Sequence, residues 1–230
     1  MKMPIKEIET NRKILYKQQT DLRVLLTTGD RFQEAMDLFF RQHAQMHAAE
    51  MAESGLWSLA DAALGDLTVA LFRRIPSNTE HSILWCIWHI TRIEDATMNI
   101  LVAGGEQIFN QGDWGTKMGT AITNTGNGMA LEEIQAFSEA VDLDALLAYR
   151  TAVGHRTRQI AEGLDADALA QPVLDERIQV LLGAGVLKES ALGLAEYWGN
   201  RTIAGLLLMP ATRHNMSHLN ESLKLKKRRR

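Results

Sequence analysis

Only four prolines interrupt this 230-residue chain, and between them run long segments rich in Ala, Leu, Glu, Met and Arg, with few β-branched alternating stretches. Those residues lose little rotamer freedom in a helix, whereas a strand calls for alternating β-branched and aromatic residues. The expected fold class is therefore all-α. The clearest segment is RFQEAMDLFFRQHAQMHAAEMA, residues 31–52, where Phe32, Met36, Phe39, Phe40, His43 and His47 share one stripe at 100° per residue. LADAALGDLTVALFRRI reads as a shorter helix stopped by Pro76. In SNTEHSILWCIWHITRIEDATMNILVAGG, Ser77 followed by Glu80 predicts a capping box, and Gly104-Gly105 predicts the stop. On that helix Cys86, His89, Ile93, Ala96 and Ile100 share a face, with Arg92 and Asp95 well off it.

Residues 104–129 are rich in Gly, Asn and Thr and predict a long loop, a length that usually carries function, so Trp114 inside it becomes a candidate pocket wall. Its alternative role is to pin the loop to the helices. Helical pattern resumes at ALEEIQAFSEAV, at residues 142–164 and again near 174–187, and His155 reads as a surface or capping residue. The last segment contains Pro210, which must kink a helix or begin one. The simplest architecture is a single domain, 1–230, built as a four-helix bundle with extra short helices and a long loop. The basic tail, 224–230, is expected to be solvated and disordered.

At 46% hydrophobic the chain can build a proper core, and its net charge of −3 gives no general attraction to nucleic acid or to an anionic membrane. One cysteine, Cys86, excludes an intramolecular disulfide, and the N-terminus lacks the apolar stretch of a signal peptide. The longest apolar runs, ILWCIWHI and GLLLMPA, fall far short of the ~20 residues that cross a bilayer. A cytoplasmic location is the expectation.

RHNMSHLNE, residues 213–221, places His214 and His218 one helical turn apart, a spacing that suits two nitrogen ligands of one metal ion. His89, core-facing on a separate long helix, is the best third ligand. Three neutral imidazoles suit Zn, Ni, Cu or Fe and leave positions open for water or substrate. The bland alternative is a set of histidines hydrogen-bonded in a polar patch. A second such pair, His43 and His47, would approach His89 if their helices run antiparallel, as hydrogen-bonding partners behind the ligands or as extra ligands. Glu221, one turn beyond His218, could orient an imidazole or act as a base. Cys86 and His89 are i, i+3 neighbours, but a free cysteine is more often a small buried hydrophobe. No Glu-x-x-His, no His-Glu-x-x-His and no complete dinucleotide glycine loop is present.

The tryptophan-rich ILWCIWHITRIED ending in its histidine, followed in the last helix by the His-x3-His of RHNMSHLNE, resembles the DinB/YfiT-like family of metalloenzymes, over roughly residues 30–222. The resemblance implies a four-helix bundle in which His89, His214 and His218 bind a divalent metal, commonly nickel or zinc. It also implies a small-molecule substrate, with low-molecular-weight thiols serving S-transferases or isomerases in some members. This chain departs from the pattern after His218, where Leu219, Asn220 and Glu221 stand in place of a Gly-Gln-type sequence, and in inserts near 104–129 and 171–188. The functional expectation is a metal-dependent transferase, isomerase or hydrolase in which the ion activates water or a thiol. The competing expectation is a non-catalytic helical module that binds a ligand or partner. Leftover apolar helix faces would suit a homodimer.

Overall fold

A computed structural model of the chain describes residues 4–48, 51 and 55–228. Among these the protein is all-α, with no strand beyond an isolated bridge between Pro172 and Thr202. The first long helix, α1 (Ile5–Thr28), ends on Gly29 at φ 73°, and α2 (Phe32–His47) follows at once. The central helix, α3 (Ile83–Asp95), runs on as a wider π-helical segment, Ala96–Val102. Next come α4 (Leu143–Glu162) and a last helical rod built of three parts: α5 (Ile203–Leu208), the π-helical Met209–His214, and α6 (Asn215–Lys227). The helices α2, α3 and α4 pack with that rod as the bundle, and α1 lies against α2 and α5.

Every residue from Ile83 to Val102 is buried, so α3 is surrounded on all sides, and Arg92 and Asp95 are as buried as the stripe that holds His89. Two apolar clusters flank a polar layer. One contains Met46, Trp88, Tyr149, Val153 and Met216. The other contains Phe39, Ile93, Ile160, Leu207 and Ala211. Between them, each bundle helix contributes buried polar side chains: Gln42 and His43, His89 and Glu94, Arg150, and Thr212 and Asn215. A buried polar group is costly unless it is hydrogen-bonded, and these side chains bond largely to one another, with Gln42 Nε2, His43 Nδ1, Arg150 Nε and His214 Nδ1 among the buried atoms left without a partner.

Several local expectations change. The cap of α3 is Ser82, whose Oγ accepts from the Trp85 N–H at 2.9 Å. Ser77 and Glu80 instead belong to a turn in which Thr79 N–H reaches Pro76 O and Asn78 sits at φ 59°, so no capping box forms there. The segment after Trp57 breaks at Gly65-Asp66 into two helices, Leu59–Leu64 and Val69–Arg73. The expected loop 104–129 contains two short helices, Ile108–Gln111 and Trp114–Met118. Pro210 sits at the start of a helical segment, as the second residue of the π stretch, where Thr212 Oγ1 donates to Leu208 O (2.8 Å) and Asn215 Nδ2 donates to Pro210 O (3.0 Å). These side chains satisfy carbonyls that a regular helix would have bonded. The tail expected to be disordered is helical to Lys227, tied down by Lys226 to Ala62 O, Ala63 O and Asp66, while residues 229–230 lie outside the described residues. In the segment read as helical over 31–52, the helix ends at His47, and residues 49–50 and 52 lie outside the described residues.

Gly154 on α4 lets α2 come close. A Cβ there would stand 2.6 Å from His47 Nδ1 and 2.9 Å from Met51 Cε. Alanine improves helix propensity by ~1 kcal/mol, but overpacking costs about 1–3 kcal/mol, so Gly154→Ala is expected to lower the melting temperature. A melting temperature that rises would contradict this close packing.

Candidate metal centre

His89 projects from the middle of α3, His214 closes the π segment, and His218 follows one turn into α6. Their ring centroids form a nearly equilateral triangle, 4.9 Å for His89–His214 and 4.8 Å for each of the other two pairs. One ligand nitrogen from each lies within 4.8 Å of the others. Two of the tautomers are set by neighbours. His89 Nδ1–H donates to Thr125 O at 2.7 Å, and His218 Nδ1 bonds Glu221 Oε2 at 2.8 Å, so each leaves Nε2 as the lone-pair nitrogen. Nδ1 of His214 is buried with no hydrogen-bond partner. Three imidazoles facing one another without a carboxylate or amide between them do not satisfy themselves, and a cation is the group that such a donor set fits.

Burial pushes His89 well below the usual imidazole range, reinforced by His214 and His218 beside it. Burial, then His218, lowers His214 to about 3. Both are therefore neutral at ordinary pH, the form in which imidazole ligates. Burial alone would raise Glu221, but hydrogen bonds from His218 and His81 hold its carboxyl well below the usual range. His81, absent from the sequence reading, bonds Glu221 Oε1 through Nδ1 at 2.8 Å and stacks on Trp85 at 3.8 Å; Trp85 in turn stacks on His89 at 4.6 Å. The signal was present in the spacing 81, 85, 89, but the first of these residues lies outside α3 and only the turn at 76–79 brings it over. Gly126, at φ 84°, allows the loop carrying Thr125 to cross the Trp85 ring, where a Cβ would meet Trp85 Nε1 at 2.9 Å. Replacing Glu221 by glutamine is expected to weaken metal affinity about 10–100-fold, measured by competition with a chelating dye. An unchanged affinity would make Glu221 a surface residue only.

His43 and His47 turn to Glu94. His43 Nε2 lies 2.8 Å from Glu94 Oε1, His47 Nε2 is 3.0 Å from both oxygens, and Asn215 Nδ2 donates to Oε2 at 2.9 Å. Arg150 completes the network through Asn215 Oδ1 (3.0 Å) and Met46 O (2.8 Å). These ligating groups form a second cluster, next in sequence to the triad at Asn215 but with its own carboxylate. Burial works against ionisation of Glu94, yet His47 and His43 hold it well below the usual carboxylate range. Sequence reasoning missed Glu94 because nothing in its spacing links it to residues 43 and 47.

Trp114, expected as a pocket wall, packs beside Tyr149 at 5.5 Å with Lys117 over its ring at 4.5 Å, and so pins its segment to the bundle. The tryptophan that lines the cavity at His89 and His214 is Trp198. Cys86 is fully buried and its thiol is pushed up by burial and by Glu221, which leaves it no nucleophile. His155 is exposed on α4.

No helix among the described residues is long and apolar enough to cross a membrane. No curated protein matches this chain. The family model of the DinB superfamily matches residues 54–222, which takes in α3, α4, the last helical rod as far as Ser222 and all three histidines of the triad, but neither α1 nor α2. A helical bundle with a partly buried three-histidine cluster, matched by that model over most of its length, identifies the chain as a member of the DinB superfamily.

Proposed function

We propose that His89, His214 and His218 hold one divalent ion, nickel or zinc, and that the protein is a metal-dependent enzyme acting on a small molecule, with a low-molecular-weight thiol or water as the second reactant. The observation that carries this reading is the convergence of three imidazoles whose ligand nitrogens lie within 4.8 Å of one another. A divalent ion held there supplies Lewis acidity and brings the pKa of a bound thiol or water toward neutrality. The remaining work falls to the chain. Thr125 O and Glu221 fix which nitrogen of His89 and His218 carries the proton, and stacking on Trp85 fixes the plane of His89. Burial keeps His89 and His214 uncharged, so their lone pairs are available without a prior deprotonation. Glu221 accepts from both His218 and the quarter-exposed His81, which gives the site a hydrogen-bonded route to the surface.

The test is elemental analysis of protein purified without chelator, beside the His218→Ala variant. About one equivalent of metal in the parent and a large loss in the variant support the reading. A parent free of metal, with a melting temperature indifferent to chelator, would return the histidines to the role of buried polar contacts.

A further inference from the structure

The cavity bordered by His89 and His214 limits what can reach them. Its volume is about 90 Å³, and Leu194, Trp198, Met209 and Pro210 wall it. An apolar cavity of ~150 Å³ takes benzene, so this one takes on the order of three or four heavy atoms. No Asp, Glu, Lys or Arg is among the described residues that line it, and apart from the imidazoles its polar side chains are Asn127, Tyr197 and the indole N–H of Trp198, all uncharged. Asn127 Oδ1 already accepts from Thr125 Oγ1 at 2.8 Å, which leaves an uncharged NH2 as the group Asn127 can offer. The nearby Arg201 guanidinium is stacked over the Tyr197 ring at 4.2 Å.

We propose that this chamber receives a short, uncharged aliphatic group of three or four heavy atoms, so that the end of the substrate next to the metal is neutral and apolar. This rests on the metal reading above. An ammonium placed in the chamber would lose its water, find no acidic side chain on the walls and face the positive ion, and a carboxylate would find no cationic side chain there and be drawn out of the chamber to the ion, whereas an alkyl chain exchanges water for Leu194, Trp198 and Met209. Leu194 and Trp198 belong to the helix Gly193–Gly199.

The test uses the whole protein loaded with Co2+ and titrated with 1-propanethiol, 3-mercaptopropionate and cysteamine. Binding is followed by the cobalt absorption bands and by calorimetry. The expected result is a dissociation constant, referred to the same thiol's affinity for aqueous Co2+ so that chelation by its carboxylate or amine cancels, at least tenfold lower for 1-propanethiol than for either charged analogue. Leu194→Trp, which fills the chamber without replacing an imidazole, should abolish that preference with bound cobalt per chain unchanged. Charged analogues binding as tightly as the neutral thiol, or a preference that survives Leu194→Trp, overturns the chamber proposal while leaving the metal reading intact. A parent that takes up no cobalt overturns both. If Leu194→Trp does not fold, Trp198→Ala decides instead: the enlarged chamber should move the best ligand from 1-propanethiol to 1-pentanethiol, and an unmoved optimum overturns the proposal.

Discussion

Removing the imidazole of His218 is expected to lower metal affinity by a factor of about 10²–10³. Structural zinc bound by four ligands is worth about 10–16 kcal/mol, so one ligand carries on the order of 2.5–4 kcal/mol. The variant loses more than a bond. His218 is the group through which Glu221 reaches the centre, so His218→Ala also leaves the carboxylate with His81 alone. The fold should survive, because His218 is only partly buried and its helix is anchored by Met216, Leu219 and Leu223 in the core. The corresponding thermal result is a chelator-induced fall in melting temperature for the parent. At a metal concentration 100 times the dissociation constant, bound metal adds about 2.7 kcal/mol, or roughly 5–10 °C for a chain of this size. The variant should show almost none of that fall. Equal metal content in parent and variant would remove His218 from the site.

Glu94→Ala is expected to destabilise the protein by about 3–5 kcal/mol, the range found when one partner of a buried charged network is deleted. Glu94 is wholly buried and receives His43, His47 and Asn215. Alanine leaves those donors without an acceptor and Arg150 without the carboxylate that favours its charged form, since burial already lowers that guanidinium to about 10. It also frees Asn215 from one of its anchors, the others being Arg150 and the carbonyls of the π segment that ends at His214. Urea unfolding of parent and variant measures the loss directly, with unchanged slope as the check that the unfolded state has not shifted. A loss below about 1 kcal/mol would mean that water reaches the layer and that the charges are not truly buried. Glu94→Gln keeps shape and one acceptor and should lie between the two proteins.

How much of this was legible beforehand follows from what helical periodicity records. A spacing of 3.6 residues tells which side chains share one face of one helix, and it tells this well where the helix is regular. The all-helical class, the stripe on α2, the stop at the Gly104 turn of the π-helical segment that continues α3, and the i, i+4 arrangement of His214 and His218 were all readable in this way. Glu221 was readable as a neighbour of His218 for the same reason. Periodicity was least informative where α3 is buried on every side, because Arg92, Glu94 and Asp95 lie off the expected stripe and are buried all the same.

The amino-acid sequence by itself determined the helices, their order and the direction in which each histidine pair points, because these depend on residues within a turn or two of each other. Tertiary structure alone decided which faces meet: that His43 and His47 find Glu94, 51 and 47 residues away, that His81 folds over Trp85, and that Trp198 rather than Trp114 stands at the cavity. It also decided that a π segment, repaired by Thr212 and Asn215, carries His214 to His89. The physical reason is that a buried polar side chain must find its partner in three dimensions, and no local pattern encodes who that partner is.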